Sequence, residues 1–133
     1  MGGERRVVKY VLDSTFLIDL LRGVPAAMIR LDALYAAGDD PVVTSITTSE
    51  VWSGRRVGAE AVIEQALCHF EYLHAGPATA RLAGEWRALA RETGRTLDTP
   101  DAIIAATAFH EDAAVLTRNV RDFALTPVRV ETY

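Results

Sequence analysis

The sequence predicts an α/β domain with a central parallel sheet of four to five strands flanked by helices. Three observations carry that expectation. Short β-branched runs alternate with longer segments of helical periodicity, the pattern of strand–helix–strand units joined by right-handed crossovers. The 133 residues are the size of one domain and enough to bury a real core. No internal repeat, low-complexity tract or linker interrupts them, so residues 1–133 read as a single compact domain.

Each element has a local reason. Val7 to Leu12 (VVKYVL) is a β-branched run suited to a buried strand. Asp13-Ser14-Thr15 then supplies capping side chains, and Phe16, Leu17, Leu20 and Leu21 form the apolar stripe of a helix. Gly23 ends that helix and Pro25 begins another, in which Met28, Leu31, Leu34 and Tyr35 keep helical spacing up to Gly38. A turn at Asp39-Asp40-Pro41 leads into a second strand, Val42 to Ile46. Thr47-Thr48-Ser49-Glu50 opens the next helix, which carries Val51 and Trp52. Gly54 and Gly58 bracket Arg55-Arg56 in a bend or exposed arm.

The second half continues the alternation. Glu60 to Phe70 reads as helix and Tyr72-Leu73 as a very short strand. Pro77 to Thr93 is a stronger helix, with Leu82, Trp86, Leu89 and Ala90 on one face. Thr99-Pro100-Asp101 starts another, running through Ile103, Ile104 and Phe109. Ala113 to Thr117 is a strand, Arg118 to Phe123 a turn or short helix, and Val128 to Val130 a last strand.

Composition narrows the function classes. Half the residues are hydrophobic and 24% charged, which excludes a disordered chain. A formal net charge of −4 argues against holding nucleic acid through bulk positive charge. It leaves room for an enzyme that reaches phosphates through metal ions and a few arginines. Lys9 is the only lysine among 14 basic residues; arginine forks suit phosphate, although a genomic base bias produces the same pattern. Cys68, the only cysteine, excludes an intrachain disulfide or a cysteine zinc site and reads as an inert buried thiol. The stretch Met1 to Lys9 precedes no apolar run of signal-peptide length, and no segment approaches the roughly 20 apolar residues of a membrane span. The expected location is cytoplasmic.

Four acids, Asp13, Glu50, Asp101 and Asp122, each sit where a short apolar strand gives way to a helix or turn. In an open parallel sheet the carboxyl ends of the strands line one crevice, so these acids meet in space. Each also has a local explanation. Thr47-x-x-Glu50 fits a capping box, Asp101 lies in a first helical turn, Asp13 can cap its helix, and Asp122 can serve a turn. The joint pattern favours a site. Ser14, Thr15, Thr47, Ser49, Thr99 and Thr117 leave room around it for water and ligands. Crowded carboxylates take up protons or bind a divalent metal, and hard oxygen donors suit Mg²⁺ or Mn²⁺ over Zn²⁺.

Other constellations are weaker. His69 and His74 suit a metal-free acid–base pair only loosely, and His110 is remote. No glycine-rich phosphate loop is present. An aspartyl-phosphate site at Asp13 lacks a second acid, Thr15 standing in its place.

The segments Val11-Leu12-Asp13-Ser14-Thr15, Thr47-Thr48-Ser49-Glu50-Val51, Pro100 through Ala108 and Leu116 through Phe123 resemble the successive motifs of PIN-domain ribonucleases, above all the VapC toxins of toxin–antitoxin pairs. The resemblance covers nearly the whole chain in the right order. It implies a Mg²⁺- or Mn²⁺-dependent endoribonuclease that hydrolyses RNA in line through metal-activated water. A homodimer and neutralisation by a cognate VapB-like antitoxin are implied too, with DNA reached only through the antitoxin. An antitoxin helix would enter a groove among the early helices, and an antitoxin arginine would occupy the acidic site.

By motif, Asp13 and Asp101 are the main metal ligands, and Glu50 orients metal-bound water or completes a second metal's shell. Many relatives place the fourth acid where this chain has Asn119, others where it has Asp122; Asp122 is therefore assigned the carboxylate and Asn119 a positioning role. Thr15 and Thr117 are candidates to bind water or phosphate, and Arg118 to contact a phosphate. The rival expectation is a catalytically weak PIN-like binding module in a regulatory protein–DNA complex. Asn119 favours it; Asp13, Glu50 and Asp101 disfavour it.

Overall fold

A computed structural model describes residues 6–133. Expectations that fall on Met1 to Arg5 lie outside the described residues. Five strands, β1 (Lys9–Leu12), β2 (Asp40–Thr44), β3 (Glu71–Leu73), β4 (Ala114–Leu116) and β5 (Val130–Glu131), form a sheet of order β3-β2-β1-β4-β5. Every pairing is parallel. Among the described residues the helices are α1 (Ser14–Leu21), α2 (Pro25–Ala36), α3 (Ser45–Ser53), α4 (Glu60–Leu67), α5 (Pro77–Glu92) and α6 (Thr99–His110), with a short 3₁₀ helix over Val120–Phe123.

The alternation of side chains along β1 divides the core into two layers. Val11, with Val42 and Val115, packs on α5 and α6 through Trp86, Ala90, Ile104 and Ala105. Tyr10 and Leu12, with Val43 and Leu116, pack on the other side against Phe16, Leu17, Leu34 and Ile63. Both faces of the sheet are thus covered, which is why its central strands read as continuous apolar runs. Small residues at Ala102, Ala105, Ala106 and Ala108 are fully buried along α6 and allow it to lie close to its neighbours.

Several local expectations are corrected. The second strand ends at Thr44, not Ile46, because the Thr44 hydroxyl accepts the Thr47 N–H at 3.2 Å and caps α3. That displaces the expected capping box: Glu50 lies more than a turn inside α3. The first strand begins at Lys9, leaving Val7 exposed. The helical spacing of α2 holds, but only part of its apolar set faces the core. Leu34 is buried with Ala27 and Leu31 packs against them, whereas Met28 and Tyr35 are about half exposed. In α5 the seam against α6 runs through Ala83, Trp86 and Ala90, and Leu89 points out. Helix α4 stops at Leu67, so Cys68 is an exposed C-cap residue and not a buried thiol. No helix of the described residues is long and apolar enough to cross a membrane.

Candidate active site

The carboxyl end of β1 sets the position of the site. The register Leu12↔Leu116 continues through a bond from the Asp13 N–H to the Leu116 carbonyl at 3.0 Å, placing Asp13 beside Thr117. Asp13 is only 4% exposed and occupies the N-cap backbone position of α1, yet its carboxylate makes no capping bond. Instead Oδ2 accepts from Thr117 Oγ1 at 2.8 Å and from Thr15 Oγ1 at 3.0 Å. The two hydroxyls are themselves 3.2 Å apart, closing a triangle. Such hydrogen bonds fix the rotamer of a buried carboxylate and offset part of its desolvation.

Helix α3 brings the second acid. Thr47, fully buried, donates its hydroxyl to the Leu12 carbonyl at 2.8 Å, pinning the start of α3 to the end of β1. Glu50 follows one turn later on the same face. Its Oε1 is buried without a hydrogen-bond partner, as is the Thr48 hydroxyl, among the described residues. Burial raises the Glu50 pKa, the Asp13 charge raises it further, and the Ser14 hydroxyl opposes them.

Asp101 enters from the first turn of α6, three residues after the N-cap Asp98. Its carboxyl is pushed up to about 7, first by burial and then by the charges of Asp122, Asp13, Asp98 and Glu50. The other three expected acids, and Asp98 with them, therefore all bear on Asp101 through space, and Asp13 also bears on Glu50. Coulomb coupling reaches further than ligation. Among the described residues no three such side chains are drawn into a ready-made ligand set. The donors are all oxygen, with one buried carboxylate oxygen unpartnered, which matches the needs of a hard divalent cation.

The remaining predicted residues fall around this centre. Asp122 is exposed in the 3₁₀ helix, its N–H bonded to the Asn119 carbonyl at 3.0 Å. The Asn119 N–H donates to Thr117 Oγ1 at 3.0 Å, a contact that uses backbone and not the amide side chain. Arg118 donates its N–H to Thr15 Oγ1 at 3.1 Å, but its guanidinium is held by Asp19, with Nη1 to Oδ1 at 2.7 Å. The histidines stand apart: His74 packs on Tyr72, His110 bonds Thr79, and His69 lies on an apolar surface hollow with Leu31 and Phe70.

Sequence reasoning missed three features. Asp19, 4% exposed, also accepts from the Tyr133 hydroxyl at 2.5 Å, and the Tyr133 ring meets Phe16 edge-on at 5.0 Å. Burial and then the Asp19 bond push the Tyr133 hydroxyl well above its usual pKa, keeping it a neutral donor. Nothing local marks that contact, because its partners are distant in sequence. Asp98 was legible as the helix cap before Thr99-Pro100. Arg95 and Arg121 line a cleft of about 360 Å³ with Asp98, Asp101 and Asp122.

A parallel α/β sheet with acids gathered at the carboxyl ends of β1 and β4 matches a known class. The PIN domain family matches residues 10–127, and the chain belongs to that family. Within it the similarity is to VapC proteins. Ribonuclease VapC19 of Mycobacterium tuberculosis is 32% identical over 117 residues, spanning 88% of this chain and 94% of its own. Ribonuclease VapC10 of the same organism is 33% identical over 116 residues, 86% of each chain. The VapBC2 structure from Rickettsia felis, bound to a promoter DNA fragment, shares the fold with a TM-score of 0.83 at 20% identity, covering 95% of this chain and 99% of its own. A toxin–antitoxin complex from Klebsiella pneumoniae gives a TM-score of 0.71 at 31% identity, with coverage of 92% and 96%.

Proposed function

We propose that this chain is a divalent-metal-dependent endoribonuclease, the toxin of a VapBC-type pair, which hydrolyses RNA phosphodiester bonds. The observation that carries this reading is the gathering of acids around Asp101. Burial and the charges of Asp122, Asp13, Asp98 and Glu50 push its carboxyl up to about 7, beside a buried Glu50 oxygen without a partner among the described residues. Such perturbed groups cluster at functional sites. Relatives named as VapC ribonucleases support the RNA-cleaving class.

Asp13 and Asp101 hold the cation, Mg²⁺ with Mn²⁺ as a substitute, and Glu50 and Asp122 complete its surroundings. A bound divalent cation supplies charge stabilisation at the scissile phosphate and a more acidic water. The chain's own residues do the rest. Thr15 and Thr117 hold Asp13 in one orientation through Oδ2. Glu50 orients the attacking water through its unpartnered Oε1. Asn119 keeps the turn carrying Asp122 tied to Thr117.

The partner is a cognate antitoxin, through which DNA is reached, and the assembly is a homodimer in the cytoplasm. An apolar groove of about 490 Å³ between α1, α3 and α4, floored by Ile18, Leu21, Val51 and Ile63 and edged by Arg22 and Arg55, suits an amphipathic antitoxin helix. Cleavage of RNA with Mn²⁺ or Mg²⁺ is expected to stop in EDTA and to fall at least about a hundredfold in Asp13→Asn and Asp101→Asn. Unchanged cleavage in EDTA, or wild-type rates in both variants, overturns the metal mechanism. Folded protein that binds RNA or antitoxin yet cleaves nothing with any divalent ion returns the reading to a binding module.

A further inference from the structure

We propose that Arg95 and Arg121 form a phosphate-binding track for single-stranded RNA beside the acid cluster, an inference that rests on the ribonuclease reading above. Arg95 stands in the loop after α5 and Arg121 in the 3₁₀ helix, both exposed, and both line the cleft that contains Asp98, Asp101 and Asp122. Arginines and aspartates thus line the same cleft. Among the described residues, however, neither arginine forms an ion pair with those acids or with any other. Nearby arginines are engaged: Arg118 is held by Asp19, and Arg87 donates to the Leu97 carbonyl at 3.0 Å.

A cleft lined only by acids repels a polyanion, so a nucleic-acid strand crossing it needs cations alongside. Arg95 and Arg121, lining residues without an ion pair among the described residues, can supply them, their guanidinium forks matching phosphate oxygens. The cleft's volume, about 360 Å³, is at the low end of ligand sites and suits one nucleotide unit. A net charge of −4 provides no broad positive surface for a duplex. Arg95 and Arg121 are therefore positioning residues, holding phosphates that flank the scissile bond while the acids act on the bond itself.

The test combines two measurements on Arg95→Gln, Arg121→Gln, the double variant, and Arg91→Gln, an exposed arginine of α5 outside the cleft. Binding of fluorescein-labelled single-stranded RNA is followed by anisotropy in an Asp13→Asn background, so that the probe is not consumed. Cleavage with Mn²⁺ is followed in the otherwise native chain. Each cleft substitution is expected to weaken binding and raise KM about tenfold, with kcat within about twofold. Each should also reduce the slope of log affinity against log salt by about 0.7. Arg91→Gln should behave as wild type. Arg95→Lys and Arg121→Lys, which keep the charge and the fold, should keep the salt slope while losing affinity. Wild-type cleavage with unchanged KM and slope in the double variant overturns the track and leaves the ribonuclease reading standing. An equal effect of Arg91→Gln, or tighter binding of duplex than of single strand, overturns it as well. Folded wild-type protein that neither binds nor cleaves RNA overturns both.

Discussion

Replacing Asp101 by Asn should stabilise the metal-free protein at neutral pH while removing its activity. The folded-state pKa of Asp101, about 7, lies above the ordinary value of 3.8, so the folded chain binds this proton more tightly than the unfolded one. The protonated carboxyl is compatible with folding below the ordinary value, and stability is lost as pH rises from about 4 towards 7. At roughly 1.4 kcal/mol per unit, the full shift corresponds to about 4 kcal/mol. Asp101 is only half-buried, and solvent screening reduces the expected effect to about 1–2 kcal/mol. Asn has the same shape and no charge. In EDTA at pH 7.5, Asp101→Asn should raise the melting temperature by about 4–8 °C. The gain should shrink towards zero near pH 4. Saturating Mn²⁺ should reverse the order, because only wild type gains binding free energy from the cation. A variant less stable than wild type in EDTA at pH 7.5, or an equal gain at pH 4, refutes the reasoning.

Two further outcomes follow from specific contacts. Thr117→Val keeps the volume at a fully buried position but removes the donor to Asp13 Oδ2 and the acceptor of the Asn119 N–H. Urea denaturation should show a loss of about 1–3 kcal/mol, accompanied by slower RNA cleavage; unchanged stability would mean the triangle is not formed in solution. Cys68 should react with a thiol reagent in the native protein at full stoichiometry, since it is exposed. Cys68→Ser should shift stability by no more than about 0.5 kcal/mol, and a thiol that reacts only after unfolding contradicts the fold around α4.

The parallel sheet was readable because it depends on short-range pattern, and so was the strand end before Asp13. A β-branched run followed by a capping residue marks the carboxyl end of a strand wherever it lies in the fold. The expected strand-to-helix junction is absent at Asp101, which follows α5 and a loop, and Glu50 lies inside α3. Which residues of a helix face the core was readable only in part. The spacing of Met28, Leu31, Leu34 and Tyr35 fits a helix, but which side faces the sheet depends on how α2 is seated, and only Ala27 and Leu34 are fully buried. Thr44 and Thr47 show the same limit. A capping motif selects Thr47 locally, whereas the structure uses Thr44 as the cap and commits the Thr47 hydroxyl to the Leu12 carbonyl. Asp19 was invisible for a related reason, as its partners Arg118 and Tyr133 lie at the other end of the chain. Of the two arginines inside the fourth motif, Arg118 drew attention through its place beside Thr117, while the pairing of Arg121 with Arg95 became visible only once the loop after α5 and the 3₁₀ helix were seen to share a cleft.

The sheet order has a consequence for timing. β1 is made first yet lies between β2 and β4, and its Asp13 is oriented by Thr117, a bond spanning 104 positions. From Asp13 to Asp122 a ribosome needs roughly 5–20 s. Throughout that interval the nascent chain carries its first carboxylates without the strand that orients them, because so non-local a contact cannot close early. On the proposed function, the growing polypeptide is harmless to the RNA around it until synthesis is nearly complete, and its cell gains those seconds to have the neutralising partner at hand.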